Sequence, residues 1–417
     1  MHIVILSYRI SGNDGVSLEC AHWREILTRM GHKVTFLAGQ LDRDGVLMPE
    51  LHFQVPKVIK IHDKVVYDRG KYREVESEIF SVAGTIEGKL RRFFGNSRKI
   101  DLLIVANVLS LPMHFPLAVA LTRVIEDFNI PTIARHHDFW WERKRYLKSN
   151  LFPFFERFFP PQIFLIKHTV INTLAQEEFK RRTGGDAAVI GDSFDFSSRR
   201  LARIGAYSAH FRRDFGLEKS DRVFLQATRI VPRKRFELSV KFMERLADPR
   251  AVLVICGRAG DEGVKYLKKI KNLCRAAKIR FRIVSDFVAS KRKMVEVAGE
   301  GGFQRRRVYN LWDCYRNADF VLYPTSFEGF GNQFIEATYF KKPIIMTPYS
   351  VFTKDIEPLG FEVIKLTKAV NKKVIDEVKF LMKNKTAVSE MVEKNFDLGA
   401  SHFSYEATSE KIRKLIL

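Results

Sequence analysis

The 417-residue chain predicts the α/β class, arranged as two Rossmann-like domains in series. Three observations carry this. The length exceeds what one ordinary core serves and suits two domains, each able to bury most of its apolar surface. Short apolar runs bounded by turn residues alternate with stretches of helical periodicity, the pattern of parallel strands joined by helices. Glycines, cations and histidines gather where those runs end, the edge at which a parallel sheet keeps its ligands.

The first unit of this pattern is the run His2–Ser7, followed by Ser11-Gly12-Asn13-Asp14-Gly15. A helix then places Val16, Leu18, Trp23, Ile26, Leu27 and Met30 at helical spacing up to Gly31. The loop ending in Gly15 is positioned to contact a phosphate or sugar, although a tight turn explains G-x-x-G almost as well. Lys33–Ala38 reads as the second strand. Asp42-Arg43-Asp44 contains the Asp-x-Asp spacing that holds a divalent metal in some sugar-nucleotide enzymes, but its turn-like setting beside Gly45 favours a plain loop. Residues 51–92 predict short β-prone pieces, with a helix over 74–94. A buried strand follows at 101–106, then a helix between Pro112 and Phe128, and a strand at 131–135.

That last strand runs into His136-His137-Asp138-Phe139-Trp140-Trp141-Glu142-Arg143. A histidine here can carry a proton or bond a sugar hydroxyl, with Asp138 orienting it, Trp140 or Trp141 stacking on a sugar face, and Arg143 pairing with an acidic acceptor group. The competing reading is a structural histidine pair over an aromatic cluster. Metal binding by the adjacent histidines is disfavoured, because neighbours on an extended chain point opposite ways. The Phe- and Pro-rich stretch 151–166 reads as a hydrophobic flap over an acceptor pocket, ahead of a shallow membrane contact, since prolines and charges interrupt any long amphipathic helix. A strand at 168–172, a helix at 175–182 and Val189-Ile190 complete the half. The polar 191–195 stretch reads as the crossing into the second domain.

The second half restarts with a strand at 222–227, then Thr228-Arg229-Ile230-Val231-Pro232-Arg233-Lys234-Arg235 and the helix Phe236–Leu246. Cations crowding a strand's carboxyl end suit a diphosphate. Strands at 251–256 and 281–285 flank a helix at 261–277, and the basic segment 288–307, interrupted by Gly301-Gly302, reads as a loop insertion. After a helix over 311–316 comes the apolar run 319–324 and then Glu328-Gly329-Phe330-Gly331-Asn332-Gln333-Phe334-Ile335-Glu336-Ala337. The glycines let a ligand approach the backbone, the helix start offers free amides to a phosphate, and the two carboxylates are spaced to bracket one ligand; a solvated helix start with both glutamates facing water explains the stretch about as well.

Composition narrows the partners. The formal net charge of +23 predicts attraction to an anion, whether nucleic acid, acidic membrane or phosphorylated small molecule. The basic clusters 143–145, 291–293 and 305–307 are dispersed, so each reads first as solvated surface. Apolar stretches fall short of the roughly 20 residues that cross a bilayer, and the N-terminus lacks a basic leader, so a soluble, cytoplasmic protein is expected. Cys20, Cys256, Cys274 and Cys314 lack metal or disulfide spacing and read as reduced thiols.

Two sequential α/β domains, Arg229 and Lys234 after the first strand of the second, and Glu328-x7-Glu336 after a later strand together resemble the family 4 retaining glycosyltransferases of the GT-B fold. The resemblance covers nearly the full chain. It implies Rossmann-like domains facing across a cleft: 1–193 binding the acceptor, 194–395 binding the nucleotide sugar, and 396–417 as a C-terminal helix returning to the first domain. Arg229 and Lys234 would bind the donor diphosphate, and Glu336 the ribose. Glu328 would contact the donor sugar, with Phe330, Gly331 and Asn332 nearby, Gly15 in the first loop, and His137 beside the reacting centre. The family pattern has small apolar residues where this chain has Asn332 and Gln333, both able to bond hydroxyls. The chain is most similar to members acting on small soluble acceptors such as glucosylglycerate. The implied chemistry is hexosyl transfer with retention from a UDP- or GDP-sugar, with no obligatory metal and no nucleic acid partner. An epimerase or phosphorylase on the same fold, or a polyanion-binding protein on this scaffold, remain as alternatives at this level.

Overall fold

A computed structural model describes residues 1–416 except 13, 69–71, 97–98, 150, 199–200, 202, 204, 300–301 and 368. Asn13 and Gly301, named above in two loops, therefore lie outside the described residues. The chain divides into two compact units, Met1–Ser193 with Thr408–Leu417, and Phe194–Ala407.

In the first unit, β1 (His2–Ser7), α1 (Gly15–Arg29), β2 (Lys33–Ala38) and the short β3 (Val46–Leu47) precede two helices, α2 (Pro56–Asp63) and α3 (Tyr72–Asn96). Then come β4 (Leu102–Ala106), α4 (Phe115–Asp127), β5 (Thr132–His136), α5 (Phe152–Phe158), β6 (Ile166–Val170), α6 (Thr173–Thr183) and β7 (Ala187–Val189). The strands form one parallel sheet in the order β3-β2-β1-β4-β5-β6-β7. Its direction of winding reverses between β1 and β4, where Ile3 pairs with Leu102 and Ile5 with Ile104. β4 is buried along its whole length, which explains its unbroken apolar sequence. The buried Arg135 guanidinium ties β5 to α1 through Glu19 (3.1 Å) and to the end of the unit through Asp192 (3.4 Å).

Two expectations for this unit are corrected. Residues 56–68 are helical, because Pro56 opens a first turn and Val58, Ile61 and Val65 bury one helical face. Their β propensity yields to that spacing. Much of the 151–166 stretch is core rather than a free flap, although Phe152 and Phe164 are exposed. Phe154, Phe155, Phe158 and Phe159 are buried, and three of these rings pack on Phe115 at 5.8–6.0 Å between centroids. Aromatic residues three and four apart on one turn become core when a neighbouring helix offers a matching ring.

In the second unit, β8 (Arg222–Gln226), α7 (Phe236–Leu246), β9 (Ala251–Ile255), α8 (Gly260–Ala276) and β10 (Arg280–Ile283) lead to an antiparallel hairpin, β11 (Lys293–Gly299) and β12 (Gly302–Val308). The hairpin pairs Lys293 with Val308 through Gly299 with Gly302 and forms its own sheet. This corrects the loop insertion expected at 288–307: alternating Val295 and Val297 give one side of the ribbon a half-buried apolar row, so the segment pairs with itself. The unit continues with α9 (Leu311–Arg316), β13 (Phe320–Tyr323), α10 (Asn332–Tyr339), β14 (Ile344–Met346), β15 (Ile364–Lys365), α11 (Lys372–Lys383) and α12 (Lys385–Phe403). Its parallel sheet has the order β10-β9-β8-β13-β14-β15, with the reversal between β8 and β13. A last helix, α13 (Tyr405–Ile416), groups with the first unit from Thr408 onward, where the Lys167 ammonium donates to the Leu415 carbonyl at 2.7 Å. Among the described residues no helix is long and apolar enough to cross a membrane.

Candidate active site

A doubly wound sheet opens a crevice where its winding reverses, beyond the carboxyl ends of the two central strands. In the second unit those strands are β8 and β13, so the loops 227–235 and 324–331 meet there. They are laced together: the Ser326 amide (2.9 Å) and hydroxyl (3.0 Å) both donate to the Arg233 carbonyl. Gln226, buried at the end of β8, donates to the Lys234 carbonyl at 2.9 Å and accepts from Ser239 at 2.7 Å. Gly257 is required beside this loop, because a Cβ there would stand 1.6 Å from the Thr228 carbonyl oxygen.

At the centre is a buried ion cluster. Lys234 and Glu328, each 7% exposed, are paired through Nζ and Oε1. The same oxygen accepts from Thr325 Oγ1 at 2.8 Å, and Oε2 accepts from Arg233 Nη1 at 3.0 Å. Lys234 Nζ also lies over the Tyr323 ring, 5.4 Å from its centroid. Burial pulls the Lys234 ammonium down to about 8 against the opposing pull of Glu328. Burial alone would raise the Glu328 carboxyl, but Lys234 and Arg233 outweigh it and hold the group below the usual carboxylate range. The pair is thus charged near neutral pH, with a lysine close to its titration point.

Arg229, in the same loop, is exposed and has no ion-pair partner among the described residues. A free guanidinium beside a buried ammonium is suited to a diphosphate. Glu336, on the second turn of α10, is buried and accepts from the Tyr315 hydroxyl at 2.7 Å. Between the two glutamates, Gly331 adopts φ +121° as the cap of α10, and a Cβ there would stand 2.2 Å from the Tyr349 hydroxyl. That hydroxyl donates to the Phe330 carbonyl at 2.6 Å. Asn332 opens α10 half-buried, whereas Gln333 is buried, its Nε2 at 3.4 Å from the Leu322 carbonyl.

Sequence reasoning missed Arg233, Thr325, Gln226, Tyr315 and Tyr349. Arg233 had a signal, its place in the basic loop. The others reach the site by side-chain hydrogen bonds across the fold.

The first unit keeps its own carboxyl-edge residues. Asn107, in the left-handed region at φ +62°, follows β4, and its Oδ1 accepts from the backbone amides of His137 (3.0 Å) and Asp138 (3.1 Å). His137 is half-buried with its Nε2 shielded and without a partner among the described residues, and burial, reinforced by Arg135, holds the ring well below the usual range, so it is neutral. His136 Nε2 lies 2.9 Å from His168 Nδ1, so its structural partner is the β6 histidine and not the adjacent His137. Asp138 does not orient a histidine: it pairs with Arg143 at 2.8 Å, which also occupies the cation expected to meet an acceptor. The tryptophan rings are already engaged: Trp141 stacks on Phe139 (4.3 Å) and lies 5.2 Å from the Arg182 guanidinium, and Trp140 is buried with its indole N–H on the Phe159 carbonyl at 2.8 Å; both line a cavity of about 300 Å³. Gly15 is the exposed first residue of α1, behind the Asp14 cap. Gly12 donates its amide to Asp42 at 2.7 Å, so the Asp-x-Asp segment serves as a loop brace.

Residues 221–358 match the family model described as glycosyl transferases group 1. The chain is 30% identical to mannosylglucosylglycerate synthase of Thermotoga maritima over the full length of both, and 32% identical to that of Petrotoga mobilis over 88% of this chain and 86% of the relative. The chain belongs to the family 4 glycosyltransferases. Solved structures agree on the fold: HepE of Anabaena in complex with UDP-glucose (TM-score 0.65, 12% identity, 100% of this chain and 99% of that one) and a Rickettsia africae glycosyltransferase (TM-score 0.65, 12% identity, 100% and 97%). This glycosyltransferase therefore has the GT-B type of architecture, two α/β units each built on a parallel sheet.

Proposed function

We propose that the enzyme transfers a hexosyl group, with retention at the anomeric carbon, from a nucleoside-diphosphate sugar to a small soluble hydroxyl acceptor. The names of its two relatives direct the choice to a mannosyl group and an acceptor of the glucosylglycerate kind. The observation that carries the reading is the Lys234–Glu328–Arg233 cluster at the reversal point of the second sheet, with Arg229 beside it and without an ion-pair partner among the described residues.

In this reading Arg229 and Lys234 take the donor diphosphate and stabilise charge as the sugar–phosphate bond breaks, the work a divalent ion does elsewhere, so no metal is obligatory. Glu336 takes the ribose hydroxyls. Glu328 accepts from a hydroxyl of the donor sugar, and the backbone of Phe330, Gly331 and Asn332 lies along sugar and phosphate. Glu328 is a poor nucleophile because both its oxygens already accept charge-assisted hydrogen bonds. The acceptor hydroxyl then attacks on the face the diphosphate leaves, which receives its proton. In the first unit His137, its ring neutral, is the residue assigned to the acceptor sugar, offering it a hydrogen-bond acceptor. Four free, buried cysteines fit a cytoplasmic setting.

The test is turnover with nucleotide-sugar and glucosylglycerate, with NMR of the product's anomeric configuration. Loss of one such cation typically costs about 3 kcal/mol of barrier, so Arg229→Ala and Lys234→Ala should each lower turnover by about two orders of magnitude. Near-normal turnover in both variants, or an inverted product, would refute the assignment.

A further inference from the structure

The second unit contains a cavity of about 720 Å³ that the donor chemistry does not use. Its wall carries Arg203, Lys291, Arg292 and Arg316 with Asn310 and Trp312, and none of Arg229, Arg233, Lys234, Glu328 or Glu336 lines it. One carboxylate serves this wall. Asp313, fully shielded, accepts from Arg292 Nε and from Arg316 Nη1, both at 2.9 Å. Arg203 and Lys291 are exposed and have no ion-pair partner among the described residues. Among the described residues, four cations thus meet a single anion.

The two inner guanidiniums are held in place. Arg316 is nearly buried and its Nε donates to the Leu201 carbonyl at 2.7 Å, while Arg292 lies 5.3 Å from the centroid of the Tyr207 ring. Burial lowers Arg316, and Arg292 adds to that, so an anion between them would relieve a cost the wall now carries. Fixed guanidinium forks with two free cationic arms are the apparatus that binds phosphate oxygens. The volume falls within the roughly 300–1,000 Å³ of small-molecule sites and exceeds what a bare oxyanion fills, and Trp312 supplies an apolar wall. Of the basic run 291–293, Lys291 and Arg292 face this cavity.

We propose that this cavity is a second ligand site, separate from the donor diphosphate, that takes the phosphate dianion of a small phosphorylated molecule. Glucose 6-phosphate and inorganic phosphate are titrated into the intact protein by calorimetry. Lys291→Glu and Arg203→Glu are compared with Lys293→Glu, which makes the same charge change off the wall, and with Arg229→Ala as donor-site control. Glucose 6-phosphate should bind wild type, weaken tenfold or more in each of the first two variants, and stay within twofold in the two controls. Inorganic phosphate binding equally well would identify the free dianion as ligand; binding tenfold weaker would identify the ester. Both fit the proposal. Absence of binding by either compound, or binding that survives Lys291→Glu and Arg203→Glu, would overturn it. Because Arg203 and Lys291 are exposed and unpaired, their reversal should leave the thermal unfolding transition in place, which is measured alongside.

Discussion

Glu328→Gln is the sharpest probe of the ion cluster, because the amide keeps the shape and removes only the charge. In the wild type Lys234 sits at about 8 although it is almost wholly buried, since Glu328 opposes the effect of burial. An opposite charge at contact distance typically shifts a pKa by about one to three, and Arg233 would remain beside Lys234, so the variant's lysine should titrate at roughly 6. At pH 7.5 the charged fraction would then fall from about three-quarters to roughly 3%, and kcat/KM, which follows the free enzyme, should fall about 25-fold. At pH 6 the loss from this cause should shrink to about twofold. The assay is kcat/KM for the donor from pH 5.5 to 9. Loss of the proposed sugar contact would lower the whole curve equally, whereas loss of Lys234's counter-charge moves the alkaline limb. An alkaline limb that stays near 8 in Glu328→Gln would refute the reasoning.

Other outcomes follow from the same geometry. Gly331→Ala combines a left-handed φ with a Cβ on the Tyr349 hydroxyl, and should cost about 3 kcal/mol or more in urea unfolding; Tyr349→Phe in the same protein should recover part of the loss. His114 and His168 are buried and lowered to about 4, chiefly by burial. Their folded values lie below the unfolded one near 6.5, so the unfolded chain takes up protons first, and stability present above that value is lost as pH falls toward 4. Each should cost on the order of 2 kcal/mol by pH 5. His114→Asn keeps an acceptor for the Leu117 amide and should flatten the slope of urea midpoint against pH.

The parallel framework was readable because its signals are local. His2–Ser7, Lys33–Ala38 and Phe236–Leu246 have the bounds their periodicity predicts, since a strand buried on both faces and an amphipathic helix each write a distinct spacing. The positions of Arg229, Lys234, Glu328 and Glu336 were likewise legible, because sheet winding brings strand-end loops together. What failed was partner choice. Asp138, Trp140 and Trp141 have side chains fit for a sugar, but Arg143, Phe139 and Phe159 engage them, and such pairings depend on long-range packing. The inward side of the Phe-rich 151–166 segment was missed for the same reason: its residues say apolar surface, and only the neighbouring α4 says that Phe154, Phe155 and Phe159 are inside.

The hairpin β11–β12 is joined to the unit at a narrow neck, where Val288 bridges Tyr309, the Ala289 amide donates to the Tyr309 carbonyl at 2.9 Å, and the Tyr309 amide to the Phe287 carbonyl at 2.8 Å. The two ends of the excursion already meet, and no strand of the six-stranded sheet pairs with it. A change in its length therefore leaves the pairing of the six-stranded sheet untouched, and with it the spacing of the loops that hold Lys234 and Glu328. Lys291 and Arg292 stand at its foot, so a lineage can refashion one side of this domain as a recognition device without retuning the machinery of transfer.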